Sequence, residues 1–125
     1  MITLTPNEAI LLHRLLTDEA GTADGIRDMG LLESAIYSQN AAFGGVELYP
    51  SLIEKASRLF YALVSNHAFA DGNKRIGLLA YLTTLAINDV TLSATDDELI
   101  TLTLSLADGS IGYDEVLLFT RAHIA

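Results

Sequence analysis

The sequence predicts an all-α fold, and three observations carry that prediction. Capping boxes of the form S/T-x-x-E stand at Thr5/Glu8, Ser51/Glu54 and Thr95/Glu98, each at the start of a helix-like stretch. Apolar residues recur at helical spacing along most of the chain. The stretch that reads as extended is short: "VELYP", residues 46–50, β-prone and closed by Pro50.

Taken in order, Thr5 and Glu8 open a first helix with Pro6 at its first position, where a missing N–H does no harm. Ile10, Leu12, Leu15 and Leu16 trace its apolar face, and it is expected to reach about Glu19. "AGTADGIRDMG" carries three glycines and little periodicity, so it reads as a loop. Asp28 is placed there to cap a second helix over about Leu31–Ala42, which Gly44 and Gly45 are expected to stop. "VELYP" then forms an extended flap. From Ser51, the residues Ile53, Ala56, Leu59, Phe60, Leu63 and Val64 repeat at helical spacing and carry a third helix to about His67. After a "FADGN" turn, a fourth helix starts near Asn73 or Lys74. It is so apolar through "IGLLAYLTTLAI" that it is expected to be the buried central helix, with Asn88 and Asp89 breaking it. Thr95 and Glu98 start a fifth helix ending at Asp108 and Gly109, and a sixth is expected from Tyr113 to His123. With no internal repeat, low-complexity tract or linker, residues 1–125 are expected to form one domain of about six helices.

Composition narrows the function. The 125 residues are half apolar and carry a formal net charge of −9, which opposes direct binding to nucleic acid or an anionic membrane. Any anion this chain holds needs a local trap. No cysteine is present, so disulfides and thiolate metal sites are excluded, as suits a reducing cytosol. "MITLTPNE" lacks the basic start and apolar run of an export signal, and "IGLLAYLTTLAI" is too short and threonine-rich to span a bilayer. A soluble, cytoplasmic protein without membrane attachment is expected.

One stretch departs from the acidic background. "HAFADGNKR", residues 67–75, sets a histidine, an aspartate and two adjacent cations within nine residues. Gly72 permits positive φ and leads into a helix whose first N–H groups lack intrahelical partners. Lys74 and Arg75 add fixed charge to that positive helix end, where an acid would normally stabilise. The placement is unfavourable by a few tenths of a kcal/mol to about 1 kcal/mol, and it points to a bound polyanion such as a nucleotide phosphate chain. Asp71 is the natural Mg²⁺ ligand, since one carboxylate with phosphate oxygens and water is a usual magnesium arrangement. His67 supplies an imidazole, the side chain best suited to removing a proton from an attacking hydroxyl near neutral pH. The Asn73 side chain either holds the loop or donates to the transferred group, and Phe69 anchors the turn in the core. His13 and His123 are expected to be C-terminal dipole partners of helices, and Arg27, Asp28 and Glu33 to cap and position a helix, with Arg27 in reach of the cleft.

These nine residues resemble the active-site motif of the Fic/Doc superfamily, and the lysine after the asparagine makes them similar to the Doc (death-on-curing) toxins. "GIRDMGLLESAI", residues 25–36, resembles a stretch upstream in the same group, and length and helix order agree over nearly the whole chain. The resemblance implies a compact all-α Fic fold. For Doc members it implies a kinase that moves the ATP γ-phosphate to a hydroxyl of elongation factor Tu and halts translation. It makes His67 the catalytic base, Asp71 the Mg²⁺ ligand, and Gly72, Asn73, Lys74 and Arg75 the phosphate cradle.

The departures from the AMP-transferring pattern H-P-F-x-x-G-N-G-R-x-x-R are Ala68 for proline, Lys74 for the second glycine and Leu78 for the last arginine. Lys74 crowds a loop that glycine leaves open, and without a cation at 78 a pyrophosphate leaving group loses a partner. AMP transfer is thereby disfavoured. No glutamate is followed by Gly or Asn, as the inhibitory S/T-x-x-x-E-G/N helix of self-restrained Fic enzymes requires, so control is expected in trans; the resemblance points to a small antitoxin whose disordered tail folds on the toxin. "FGGVELYP" is a candidate docking flap for substrate by strand addition. The alternatives are AMP transfer to a protein hydroxyl on the same scaffold, and a non-catalytic module that holds the antitoxin.

Overall fold

The computed structural model of the chain describes residues 1–20, 25–70 and 72–125. These form six α-helices: α1 (Pro6–Ala20), α2 (Met29–Tyr37), α3 (Leu52–Asn66), α4 (Asn73–Ile87), α5 (Asp96–Ala107) and α6 (Tyr113–Ala122). A 3₁₀ turn at Ser38–Asn40 leads into a small antiparallel hairpin, β1 (Ala42–Phe43) and β2 (Val46–Glu47). The all-α expectation with a short extended flap holds. No helix among the described residues is long and apolar enough to cross a membrane.

The three capping boxes form as the sequence predicts. Thr5, Ser51 and Thr95 accept from the amides of Glu8, Glu54 and Glu98 at 3.1–3.3 Å, and each glutamate accepts in return from its cap residue's amide. Asp28 accepts from Leu31 N at 3.0 Å and so starts α2. Caps of this kind each stabilise by about 1 kcal/mol.

The second helix is shorter than expected. It ends at Tyr37, and residues 42–47 pair as Ala42 with Glu47 and Phe43 with Val46. Gly44 and Gly45 both take positive φ, 58° and 82°, the pattern of a two-residue hairpin turn, so this glycine pair folds the strands back instead of stopping a helix. Lys55 on α3 is buried and tethers the hairpin. Its Nζ donates to Gln39 O at 3.0 Å and to Glu47 Oε1 at 2.8 Å.

Two core clusters flank a central layer of α3 and α4. Leu59, Ala62 and Leu63 of α3 and Ile76 and Ala80 of α4 pack with Leu4, Ala9, Leu32, Ile36 and Phe69 on one side. Ala56, Phe60 and Val64, with Tyr81 and Leu85, pack with Leu102, Leu106 and Val116 on the other. The central place expected for α4 belongs to α3, which packs on α2, α4, α5, α6 and the 3₁₀ turn. Helix α4 is apolar on two sides but exposes Lys74 and Arg75 at one end and Ala86 and Ile87 at the other.

The two helices meet at Gly77, where a Cβ would lie 2.6 Å from Val64 Cγ2 and 3.5 Å from Phe60 O. A polar contact crosses the second cluster: the Tyr81 hydroxyl lies 2.6 Å from Thr120 Oγ1, which meets Ser57 Oγ at 3.3 Å. Thr120 donates its one proton to Val116 O at 2.8 Å, so Tyr81 and Ser57 donate to it. Burial pushes the Tyr81 pKa up to about 12, which keeps the phenol a neutral donor.

Gly77→Ala is expected to destabilise by about 1–3 kcal/mol, because Val64 is β-branched and buried and has little freedom to retreat; urea denaturation measures it, and an unchanged midpoint would contradict the close approach. At the far end, His123 caps α6 as expected, with Nδ1 2.7 Å from Phe119 O and Nε2 2.9 Å from Glu98 Oε2. The Phe119 carbonyl first, then Glu98, raises the His123 pKa above 6.5; the Thr95 amide first, then His123, lowers that of Glu98 below 4.5. The His123 contribution is therefore full below its unfolded value and fades as pH rises through the raised folded value, while that of Glu98 is full above its unfolded value and fades as pH falls through the lowered one. A double-mutant cycle with His123→Gln and Glu98→Gln should give a larger coupling at about pH 5.5 than at about pH 8.5, read from thermal midpoints.

Candidate active site

Residues 67–75 connect α3 to α4, so the motif is mounted on the two central helices. His67 is the C-cap of α3, at φ 52° and ψ 45°. Histidine enters this left-handed region more readily than most non-glycine residues, and here the turn leaves His67 exposed at the surface. Ala68 and Phe69 point inward, each 1% exposed, as expected for Phe69. Gly72, at φ 80°, then begins α4 as its N-cap.

Asn73 decides between its two expected roles. Its Oδ1 accepts from Phe69 N at 3.1 Å and its Nδ2 donates to Phe69 O at 2.9 Å, so both ends of the amide hold the loop. Segment 25–28 braces the same loop from outside. Arg27 N and Asp28 N donate to Ala68 O at 2.8 and 3.1 Å, Ala70 N donates to Gly25 O at 3.0 Å, and Ile26 bridges Phe69 in antiparallel fashion. Arg27 and Asp28 thus serve the motif through their backbone, and Asp28 caps α2 with its side chain.

His13 corrects the sequence expectation. It lies in the middle of α1 rather than at a helix end, is 1% exposed, and stacks on the Phe69 ring with centroids 3.9 Å apart and planes 12° apart. The signal was present in the sequence: His13 falls four residues after Ala9 and three before Leu16, on the buried stripe of an amphipathic helix.

At the helix start, Ile76 N donates to Gly72 O at 2.9 Å, so the amides of residues 73–75 precede the hydrogen-bond ladder of α4. No acidic residue occupies that first turn, and Lys74 and Arg75 are exposed there. A hollow of about 580 Å³ is lined by His67, Ala70, Gly72, Asn73, Lys74 and Arg75, with Val64 and Ala107. Five of the six residues expected at the site, His67, Gly72, Asn73, Lys74 and Arg75, therefore share one hollow. The sixth, Asp71, lies outside the described residues, as do residues 21–24 of the stretch expected to be a loop. Ala107, from the last turn of α5, is a wall that no motif announced. Among the described residues no group of three His, Cys, Asp or Glu is placed to hold a metal ion. A second hollow of about 230 Å³ adjoins the first, between Lys74, Arg75 and Leu78 of α4 and Ile100, Thr103 and Leu104 of α5.

A fold of six helices with a histidine, a glycine turn and two cations at the α3–α4 junction defines a class. The family model described as the Fic/DOC family matches residues 3–85, well over half of the chain, and the chain belongs to that family. It is also 46% identical over 72 residues to a protein named toxin Doc from Mycolicibacterium smegmatis (strain ATCC 700084 / mc(2)155), an alignment covering 58% of this chain and 55% of that relative. The chain thus matches about half the length of the relative.

Asn73→Ala removes both bonds to the part-buried Phe69 backbone and should lower stability by about 1–3 kcal/mol. Asn73→Asp keeps the acceptor for Phe69 N but sets a carboxylate oxygen against Phe69 O, acceptor against acceptor, so it should destabilise as well. Midpoints equal to wild type for both variants in chemical denaturation would show that the amide does not clamp the loop.

Proposed function

We propose that the chain is the toxin of a type II toxin–antitoxin pair and acts as a protein kinase, transferring the γ-phosphate of ATP to a hydroxyl of a translation factor, with elongation factor Tu as the first target to test. The observation that carries this reading is the convergence of a base and two cations on one helix start: His67, Lys74 and Arg75 line the same hollow as Gly72 and Asn73. The similarity to a protein named toxin Doc supports the toxin part of the reading.

In this mechanism His67 takes the proton of the substrate hydroxyl as its oxygen attacks the γ-phosphorus. The bond from that phosphorus to the bridging oxygen breaks, and ADP departs. Lys74, Arg75 and the first-turn amides of α4 neutralise charge on the phosphoryl oxygens, and the Asn73 clamp keeps those donors in place. Asp71 would hold Mg²⁺ through its carboxylate, since one carboxylate with phosphate oxygens and water is a usual magnesium arrangement. When bound, Mg²⁺ supplies charge neutralisation at the phosphates.

Phosphate transfer is favoured over AMP transfer by Leu78, which lines the apolar hollow beside α5 where the AMP-transferring pattern has an arginine. The same hollow, with Ile100 and Leu104 each 52% exposed and cations at its end, suits an antitoxin tail that is disordered alone and folds on the toxin. The hairpin offers Phe43, 83% exposed, and Val46 for strand addition by the protein substrate. The cytoplasm, which holds ATP and elongation factor Tu, is the proposed place of action.

Intact mass of elongation factor Tu after incubation with the chain, ATP and Mg²⁺ tests the reading. A gain of one phosphate is expected, reduced about 10²- to 10⁴-fold in rate by His67→Ala. A gain of AMP would move the assignment to adenylyl transfer. No gain, with antitoxin binding intact, would favour the non-catalytic module.

A further inference from the structure

We propose that His13 is a positioning residue for the loop between α3 and α4, acting from beneath on both Phe69 and Gly72. Helix α1 contributes none of the described residues that line the hollow, yet its buried imidazole faces the loop at two points. Its ring lies parallel to Phe69 at 3.9 Å. At the second point it faces Gly72: Nε2 and Cδ2 lie 3.3 and 3.7 Å from where a Cβ would stand, so the imidazole fills the space a side chain there would need.

These two points are the ends of the segment that Asn73 closes. Asn73 grips the Phe69 backbone from the α4 side, and His13 supports the Phe69 ring and the Gly72 backbone from the α1 side. Gly72 at φ 80° directs the first turn of α4, and with it Lys74 and Arg75, into the hollow. A smaller side chain at 13 leaves the loop without a floor at both points. The expected result is a loop that opens more often while the rest of the molecule keeps its packing. The proposal rests on the kinase reading only for its effect on nucleotide; the effect on the loop is independent of it.

Hydrogen exchange and nucleotide affinity, measured on the full chain well below its thermal midpoint, test it. In His13→Ala, the amides of residues 69–75 should exchange about 2- to 12-fold faster, the change equivalent to losing an aromatic stacking contact, with α3 and α5 core amides unchanged. The Kd for ATP with Mg²⁺ should rise over the same range, and the kcat for protein phosphorylation should fall less than the KM for ATP rises. His13→Gln, which keeps a nitrogen near Gly72 and loses the ring, is the second variant should alanine fail to fold, and its loop exchange should lie between wild type and alanine. Gly72→Ala should weaken ATP binding in the wild-type background and by a smaller factor in the His13→Ala background, because the atom its Cβ meets is gone. Unchanged loop exchange, or a rise spread evenly over the whole chain, overturns the positioning role. If the wild-type chain binds no ATP, the kinase reading falls, and loop exchange alone decides the role of His13.

Discussion

The close packing of α3 on α4 is the constraint on which the rest of the structure depends. At Gly77 the helices approach so nearly that Val64 Cγ2 occupies the space of a side chain. Backbones brought that close leave the end of α3 and the start of α4 with a fixed separation, and the nine-residue motif spans that gap. A histidine at a helix C-cap and two cations at the next helix's first turn can line one hollow only if both helix ends are held. The two core clusters, one on each side of the α3–α4 layer, hold them.

The loop itself is fastened by groups that perform no chemistry. Asn73 grips the Phe69 backbone through both its carbonyl oxygen and its amide nitrogen. Segment 25–28 adds three backbone bonds from outside, and His13 lies against the inner face. This division follows from electrostatics. Two cations beside the positive end of a helix repel each other and the dipole, so the charge placed there works against the loop. Support from the Asn73 amide, the 25–28 backbone and the packed His13 ring holds the arrangement against that repulsion.

The hairpin is attached by different means. Its two-residue strands bury little, and Phe43 and Val46 face solvent. Lys55, buried at the side of α3, reaches both Gln39 O and Glu47 and so ties the hairpin to the central helix. A buried ammonium with two oxygen partners is strongly destabilising to break from one side, which makes this pair a firm anchor for an otherwise exposed element.

Much of this was legible in the sequence, because its signals are local. Capping boxes need only residues three apart, and all three formed at Thr5, Ser51 and Thr95. The bend at 88–89 and the glycine ends at 72 and 109 follow from backbone conformations that few residues tolerate. The motif drew attention to itself by placing two cations against the usual rule for helix ends, and His67, Lys74 and Arg75 do line one hollow. Tertiary structure decided what depends on neighbours distant in the chain. Apolarity marked α4 as buried but could not say that α3, touched on more sides, is the centre, since the count of neighbours is not a property of one helix. The glycine pair at 44–45 serves equally as a helix stop and a hairpin turn, and pairing of Ala42 with Glu47 selected the turn. His13 lies more than fifty residues before the loop it supports, and only the packing of α1 against α4 brings its ring onto Phe69.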